Sequence, residues 1–213
     1  MQLTPDLLLK AYSIGIFPMA ESRGDPDLHW IDPELRGVLP LDNLHIPRRL
    51  KKRLRRGDFE VRCDHAFKEV LMACAAPTEA RPDTWINPVI EQLVNELFEM
   101  GFAHSVECWR DGLLVGGLYG VSLGGCFFGE SMFSREKDAS KVALVHLVLR
   151  LRKGGFVLLD TQFNTPHLSQ FGVIEISRED YRKKLSDAIN IPAEFRREEI
   201  SPKELDDYLN NIL

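Results

Sequence analysis

Between residues 103 and 162 the hydrophobic period changes twice, and that change limits the folds open to the chain. HSVECWR, LLVGGLYGVS and CFFGESMF are three strand-like runs, separated by turn signals at Asp111-Gly112 and at Leu123 to Gly125. Such a pattern reads as a β-meander. Asp138 is placed to cap a helix running to Lys153, which Gly154-Gly155 end, and FVLLDTQ follows as a continuous apolar strand. The helix is apolar nearly all round, with Val142, Ala143, Leu144, Val145, Leu147, Val148, Leu149 and Leu151, so it must be covered on every side. A meander, a buried helix and a buried strand in that order call for an α+β (mixed α/β) layered domain with this segment at its centre.

The flanks are less regular. A helix is expected from Thr4 to Gly15, with Pro5 at its first position. The stretch from Phe17 to Pro47 contains Pro18, Pro26, Pro33, Pro40 and Pro47 and leaves room for little beyond a short strand near Gly37 to Leu39. This predicts a small N-terminal subdomain over 1–45 and a larger domain over 46–213. In the larger part we expect a basic helix from Pro47 to Arg56 and a strand at FEVRC. Helices should follow at His65 to Ala76 and at Pro88 to Met100, the latter capped by Asn87. After the central segment come a short TPHLSQFG helix, a VIEIS strand and an EDYRKKLSDAI helix. This element order is shared with the GNAT-type acetyltransferase fold.

The 213 residues suit one compact body, and 44% apolar with 28% charged is ordinary globular usage. No run approaches the ~18 apolar residues of a spanning helix, and Met1 to Lys10 lacks the pattern of an export signal. Cys63, Cys74, Cys108 and Cys126 form no C-x-x-C pair, so they are expected to be reduced core residues of a cytoplasmic protein with no metal. The formal charge of −5 argues against a polyanion partner only if it is evenly spread. It is not. Arg48, Arg49, Lys51, Lys52, Arg53, Arg55 and Arg56 crowd one helix, with Ile46, Leu50 and Leu54 on its opposite face. Residues 45–62 carry +6 and the remainder −11. Like charges at i,i+4 cost roughly 0.2–0.5 kcal/mol each, so this helix is expected to present a purely positive face to a phosphate backbone.

Seven of the fifteen glycines fall between Gly112 and Gly129, and two familiar patterns lie inside them. Gly120-Val121-Ser122-Leu123-Gly124 fits the nucleophile elbow of hydrolases, with Asp160 and His167 following in order. The elbow needs a helix directly after its serine, which GGCFFGESMF cannot form. Gly124 to Gly129 has phosphate-loop spacing but is followed by Glu130-Ser131, where a carboxylate would repel a phosphate. The Arg/Gln-x-x-Gly-x-Gly/Ala run of coenzyme A acyltransferases is absent, so another acyl carrier is implied. Glu130, among Phe127, Phe128, Met132 and Phe133, needs a partner, either a structural cation or a bound ammonium. Leu118, Phe127, Leu144, Leu147 and Leu159 could line one apolar cavity of side-chain size.

GESMFS followed by ASK (129–134, 139–141), Tyr12, Gly15-Ile16-Phe17-Pro18, Thr84-Trp85-Ile86, Ala103-His104-Ser105 and Val115-Gly116-Gly117-Leu118-Tyr119-Gly120 closely resemble the leucyl/phenylalanyl-tRNA–protein transferase family. The resemblance runs from about Leu7 to Tyr181. It implies an acetyltransferase-like C-terminal domain and a bacterial enzyme without metal or coenzyme. Such an enzyme moves Leu, Phe or Met from aminoacyl-tRNA to the N-terminal Lys or Arg of a protein and so marks it for degradation by the N-end rule. By the same resemblance Asp160 and Gln162 form the catalytic pair, Glu130 contacts the aminoacyl group and Trp85 stacks near the terminal adenosine. Leu118, Phe127, Leu144, Leu147 and Leu159 line the side-chain pocket, and the basic helix holds the tRNA acceptor stem. We expect Asp160 to orient the attacking amine and Gln162 to fix the tetrahedral centre. Met19 and Val94 depart from the family pattern, which has a tryptophan and a tyrosine there. A tRNA-binding protein without transfer activity and a serine hydrolase using Ser122 are the alternatives.

Overall fold

A computed structural model describes residues 3–79 and 81–211. Helix α1 (Pro5–Ser13) opens on Thr4, whose hydroxyl accepts from the Leu7 N–H. Strands β1 (Phe17–Met19) and β2 (His29–Ile31) form a small antiparallel pair inside the proline-rich segment. Neither is signalled by the sequence, and both are only three residues long. Strand β3 (Leu35–Val38) belongs to the main sheet. Then come α2 (Arg48–Arg56), β4 (Glu60–Cys63), α3 (Phe67–Ala75) and α4 (Pro88–Glu99), the last capped by Asn87 Oδ1 accepting from the Ile90 N–H at 2.9 Å.

The meander is β5 (Ala103–Arg110), β6 (Leu113–Leu123) and β7 (Cys126–Ser134), followed by α5 (Ala139–Lys153) and β8 (Leu158–Gln162). Helix α6 (Pro166–Ser169), strand β9 (Ile174–Ser177) and helices α7 (Arg178–Ala188) and α8 (Pro202–Asn211) complete the described chain. The seven-stranded sheet runs β4-β5-β6-β7-β8-β3-β9, every neighbour pair antiparallel except β7 and β8. The class is therefore α+β with a mostly antiparallel sheet. Helix α5 covers one face, together with the apolar side of α2 (Leu50, Leu54) and α8 (Leu205, Leu209). Helices α1, α3, α4 and α7 cover the other.

The glycine run has a packing cause. A Cβ on Gly116 would lie 2.4 Å from that of Ala139, and one on Gly120 would lie 2.3 Å from the Phe128 carbonyl oxygen. Glycine at these positions lets α5 seat directly on β6 and lets Phe127 fold across the strand. The cap of α5 differs from expectation. Asp138 is left-handed (φ +65°) and makes no capping hydrogen bond; it pairs with Lys141 at 3.1 Å. Ser134 Oγ, at the end of β7, accepts from the Ser140 N–H instead. Helix α8, which buries Leu205, Tyr208 and Leu209 and starts on a reciprocal cap between Ser201 and Glu204, is an addition to the expected elements. All four cysteines are free.

Candidate active site

The parallel pairing of β7 with β8 ends at Phe128 opposite Asp160. Beyond it β7 stays paired only to β6, and β8 only to β3, so the two strands part. Glu130 stands on one side of that gap and Gln162 on the other. The Gln162 amide nitrogen donates to Glu130 Oε1 at 2.9 Å, and the Tyr12 hydroxyl, from α1, donates to the same oxygen at 2.8 Å. Among the described residues nothing donates to Glu130 Oε2, and no lysine or arginine pairs with Glu130. The structural cation considered for it is thus missing. Burial outweighs the two hydrogen bonds and lifts its carboxyl to about 7. Burial and Glu130 together hold the Tyr12 hydroxyl protonated, well above its ordinary value.

Asp160 faces away from this gap. Strand alternation sends Leu159 to the α5 side and Asp160 to the other, where Arg36 of β3 meets it in a bidentate pair. Arg36 Nε donates to Oδ1 at 2.9 Å and Nη2 to Oδ2 at 2.6 Å, with the two side chains 1% and 0% exposed. The Tyr181 hydroxyl of α7 donates to Oδ2 at 2.7 Å, and the Gln162 backbone N–H to Oδ1 at 2.7 Å. Arg36 is itself held by the Gly15 carbonyl at 2.9 Å and lies between the rings of Phe17 and Tyr181, 4.5 and 4.4 Å from their centroids. Gln162 takes a left-handed backbone (φ +62°), a conformation costly for a non-glycine residue. The Asp160 carboxylate holds it there.

A cavity of about 800 Å³ opens at the gap. Its wall includes Trp85, Leu118, Glu130, Leu144, Leu147, Leu159 and Gln162, so seven of the nine residues singled out for catalysis and substrate binding come together. Asp160 and Phe127 do not reach it. Phe127 shares the core with those leucines but is fully buried against Phe156 and Phe195, with ring centroids 6.3 and 5.8 Å away. Met19, Tyr119, Arg81 and His167 also line the cavity. Val94, on α4, is buried in the core and does not.

The face of α2 is not purely positive. Arg55 Nε donates to Asp206 of α8 at 2.7 Å, Arg56 pairs with Asp58 at 2.5 Å, and Arg53 lies 3.6 Å from Asp58. Lys51 Nζ donates to the Leu209 carbonyl at 3.2 Å. Counter-charges therefore come from the next turn and from a helix some 150 residues later in the chain. Arg48, Arg49 and Lys52 remain exposed and make no ion pair among the described residues. None of the seven lines the cavity; Arg53, Arg55 and Arg56 border a separate groove of about 770 Å³ between α2, β4 and α8.

The hydrolase alternative finds no support. Ser122 lies within β6, and its hydroxyl donates to the Phe102 carbonyl at 3.3 Å. His167 sits on the cavity wall and Asp160 is spent on Arg36. Arg36 and Tyr181 escape sequence reasoning: one sits in a four-residue strand, the other on a charged helix, and neither carries a local motif.

Comparison with known proteins identifies the family. The family model described as leucyl/phenylalanyl-tRNA protein transferase matches residues 38–186, and that of the family's N-terminal domain matches residues 1–34. A leucyl/phenylalanyl-tRNA–protein transferase of Paramagnetospirillum magneticum is 60% identical over 195 residues, 92% of this chain and 93% of that one. One of Rhodospirillum rubrum is 55% identical over 195 residues, 92% of each chain. Among solved structures, L-PGS from Bacillus licheniformis aligns with a TM-score of 0.43 at 12% identity over 84% of this chain and 61% of that one; that is too distant to inform fold or function. With family models matching across 1–34 and 38–186 and relatives this similar over nine-tenths of its length, the chain belongs to the leucyl/phenylalanyl-tRNA–protein transferase family.

Proposed function

We propose that the protein transfers Leu, Phe or Met from aminoacyl-tRNA to the N-terminal Lys or Arg of an acceptor protein in the bacterial cytoplasm, forming a peptide bond that marks it for degradation. One observation besides family membership carries this reading: a largely apolar cavity lined by a carboxylate with one open oxygen and no cation of its own. The amino-acid side chain lies among Leu118, Leu144, Leu147 and Leu159, with Phe127 backing them from the core, and Glu130 contacts the aminoacyl group. Trp85, which also lines the cavity, stacks with the terminal adenosine. One methylene in such a cavity is worth only ~1–3 kcal/mol, so some transfer of Met accompanies Leu and Phe.

The donor is an activated ester, so catalysis is mostly placement of amine against carbonyl. In our reading Gln162 steadies the reacting centre and Asp160 holds Gln162 from behind. The exposed Arg48, Arg49 and Lys52, unpaired among the described residues, together with Lys51, Arg53, Arg55 and Arg56, engage acceptor-stem phosphates. We further place the domain over 46–213 in the GNAT-type class, on the strength of the parting parallel pair in an antiparallel sheet. The small unit over 1–45 lends β3 to that sheet. The direct test is movement of labelled Phe from Phe-tRNA to a peptide beginning with Lys. Transfer is expected in the wild type and lost in Glu130→Ala; no transfer by the wild type refutes the proposal, and binding of tRNA regardless of its amino acid would favour the binding-protein alternative.

A further inference from the structure

Two carboxylates meet at the parting of β7 and β8, and they differ in what remains of their hydrogen-bonding capacity. A carboxylate offers about four acceptor positions. At Asp160 they are taken by Arg36 Nε and the Gln162 N–H on Oδ1, and by Arg36 Nη2 and the Tyr181 hydroxyl on Oδ2. The side chain has no exposed surface and stands outside the cavity. At Glu130 both donors converge on Oε1, Oε2 is left open, and the residue lines the cavity. Gln162 offers no rival base, because its amide nitrogen donates to Glu130 and its amide oxygen has negligible basicity.

We infer that Glu130 accepts the proton from the acceptor's α-ammonium, and that Asp160 exchanges no proton and serves as a positioning residue. This rests on the transferase reading. The incoming ammonium gives one proton to Glu130 Oε2. The neutral amine nitrogen then bonds to the ester carbonyl carbon, the bond from that carbon to the ribose oxygen breaks, and the nitrogen's surplus proton passes to that oxygen as the tRNA hydroxyl is restored. Glu130 returns its proton to solvent.

The groups facing Glu130 suit the task. Tyr12 from α1 and Tyr119 from β6 are both held protonated by burial, Arg36 from β3 stays cationic, and Asp160 and Gln162 come from β8. Burial leaves Glu130 ionising near 7, close to the ~7.7–8.0 of a free α-amine, which is where a base is most effective.

The test is kcat/KM for Phe transfer to a Lys-initiated peptide between pH 6 and 9, with dissociation constants for Phe-tRNA measured alongside. The wild type should give a bell with limbs near 7 and near the amine's ionisation. Glu130→Gln should lose about 100-fold at neutral pH, bind Phe-tRNA within threefold of wild type, and replace the bell with a monotonic rise. Asp160→Asn should be slower at every pH with the bell retained; if it does not fold, Tyr181→Phe, which removes one donor to Asp160, takes its place with the same expectation. A bell retained in Glu130→Gln, or an acidic limb lost in the Asp160 or Tyr181 variant, overturns the inference. A wild type inactive at all pH values instead refutes the transferase reading itself.

Discussion

Replacing Arg36 by methionine probes the support beneath the site. Methionine keeps an apolar stem but removes the guanidinium that lies between Phe17 and Tyr181, and it leaves Asp160 with no cation in a position that is 0% exposed. Two charge-assisted hydrogen bonds of 2.9 and 2.6 Å disappear, together with the one to the Gly15 carbonyl. Removing one member of a buried pair typically costs ~3–5 kcal/mol, because the other charge is stranded. At ~2–4 °C per kcal/mol for a chain of this size, Tm should fall by roughly 6–20 °C in calorimetry at neutral pH. Arg36→Met with Asp160→Leu should be more stable than Arg36→Met alone, since the stranded charge is gone. The double variant should have lost transfer, because without the Asp160 carboxylate Gln162 is no longer held at φ +62°. A single variant within ~1 kcal/mol of wild type, or a double variant worse than the sum of the singles, refutes the idea that the pair acts as one unit.

Other outcomes follow from the same geometry. Replacing Arg48, Arg49 and Lys52 together by alanine should flatten the log–log salt dependence of tRNA binding by ~0.9 for each phosphate that is no longer neutralised, whereas Arg55→Ala, whose charge is committed to Asp206, should change it less; equal slopes would contradict this. Leu144→Ala should enlarge the cavity, shift the Leu to Phe ratio about tenfold toward Phe in competition assays, and lower stability by ~2–5 kcal/mol in denaturant titration. Because the folded state raises the Glu130 carboxyl from 4.5 to about 7, its ionisation weakens the fold; the penalty is absent below the unfolded value and complete above the folded one. Glu130→Gln should therefore raise Tm at pH 8 and not at pH 4.5. Ser122→Ala should leave transfer unchanged in the peptide assay.

The parts of the fold that the sequence announces are those governed by local rules. The meander, the largely apolar α5 and the proline and glycine boundaries of α2 and α4 lie where period and capping put them, because each is decided by neighbours a few residues away. The cap of α5 is an exception for a tertiary reason: the end of β7 delivers Ser134 to the helix start, displacing Asp138. The pairing of Arg55 on α2 is likewise decided from afar, by Asp206. Within the site, Leu118, Leu144, Leu147 and Leu159 can be grouped by being apolar on elements bound to pack together. The orientation of Asp160 is implicit in strand alternation beside Leu159. Its partner is not, since Arg36 lies 124 residues earlier, in a short strand whose presence near Gly37 to Leu39 is expected but whose place beside β8 no local pattern reveals. That pair decides which carboxylate faces the substrate.

The central claim is that the cavity and Glu130 together deliver Leu or Phe to a cationic N-terminus. The most direct measurement offers matched Leu-, Phe- and Ala-tRNA to peptides that begin with Lys, Arg, Asp or Ala and otherwise agree, with mass spectrometry of the products. The account predicts addition of Leu and Phe to the Lys and Arg peptides alone, abolished in Glu130→Ala. Addition of Ala at a comparable rate, or undiminished addition without the Glu130 carboxylate, would contradict it.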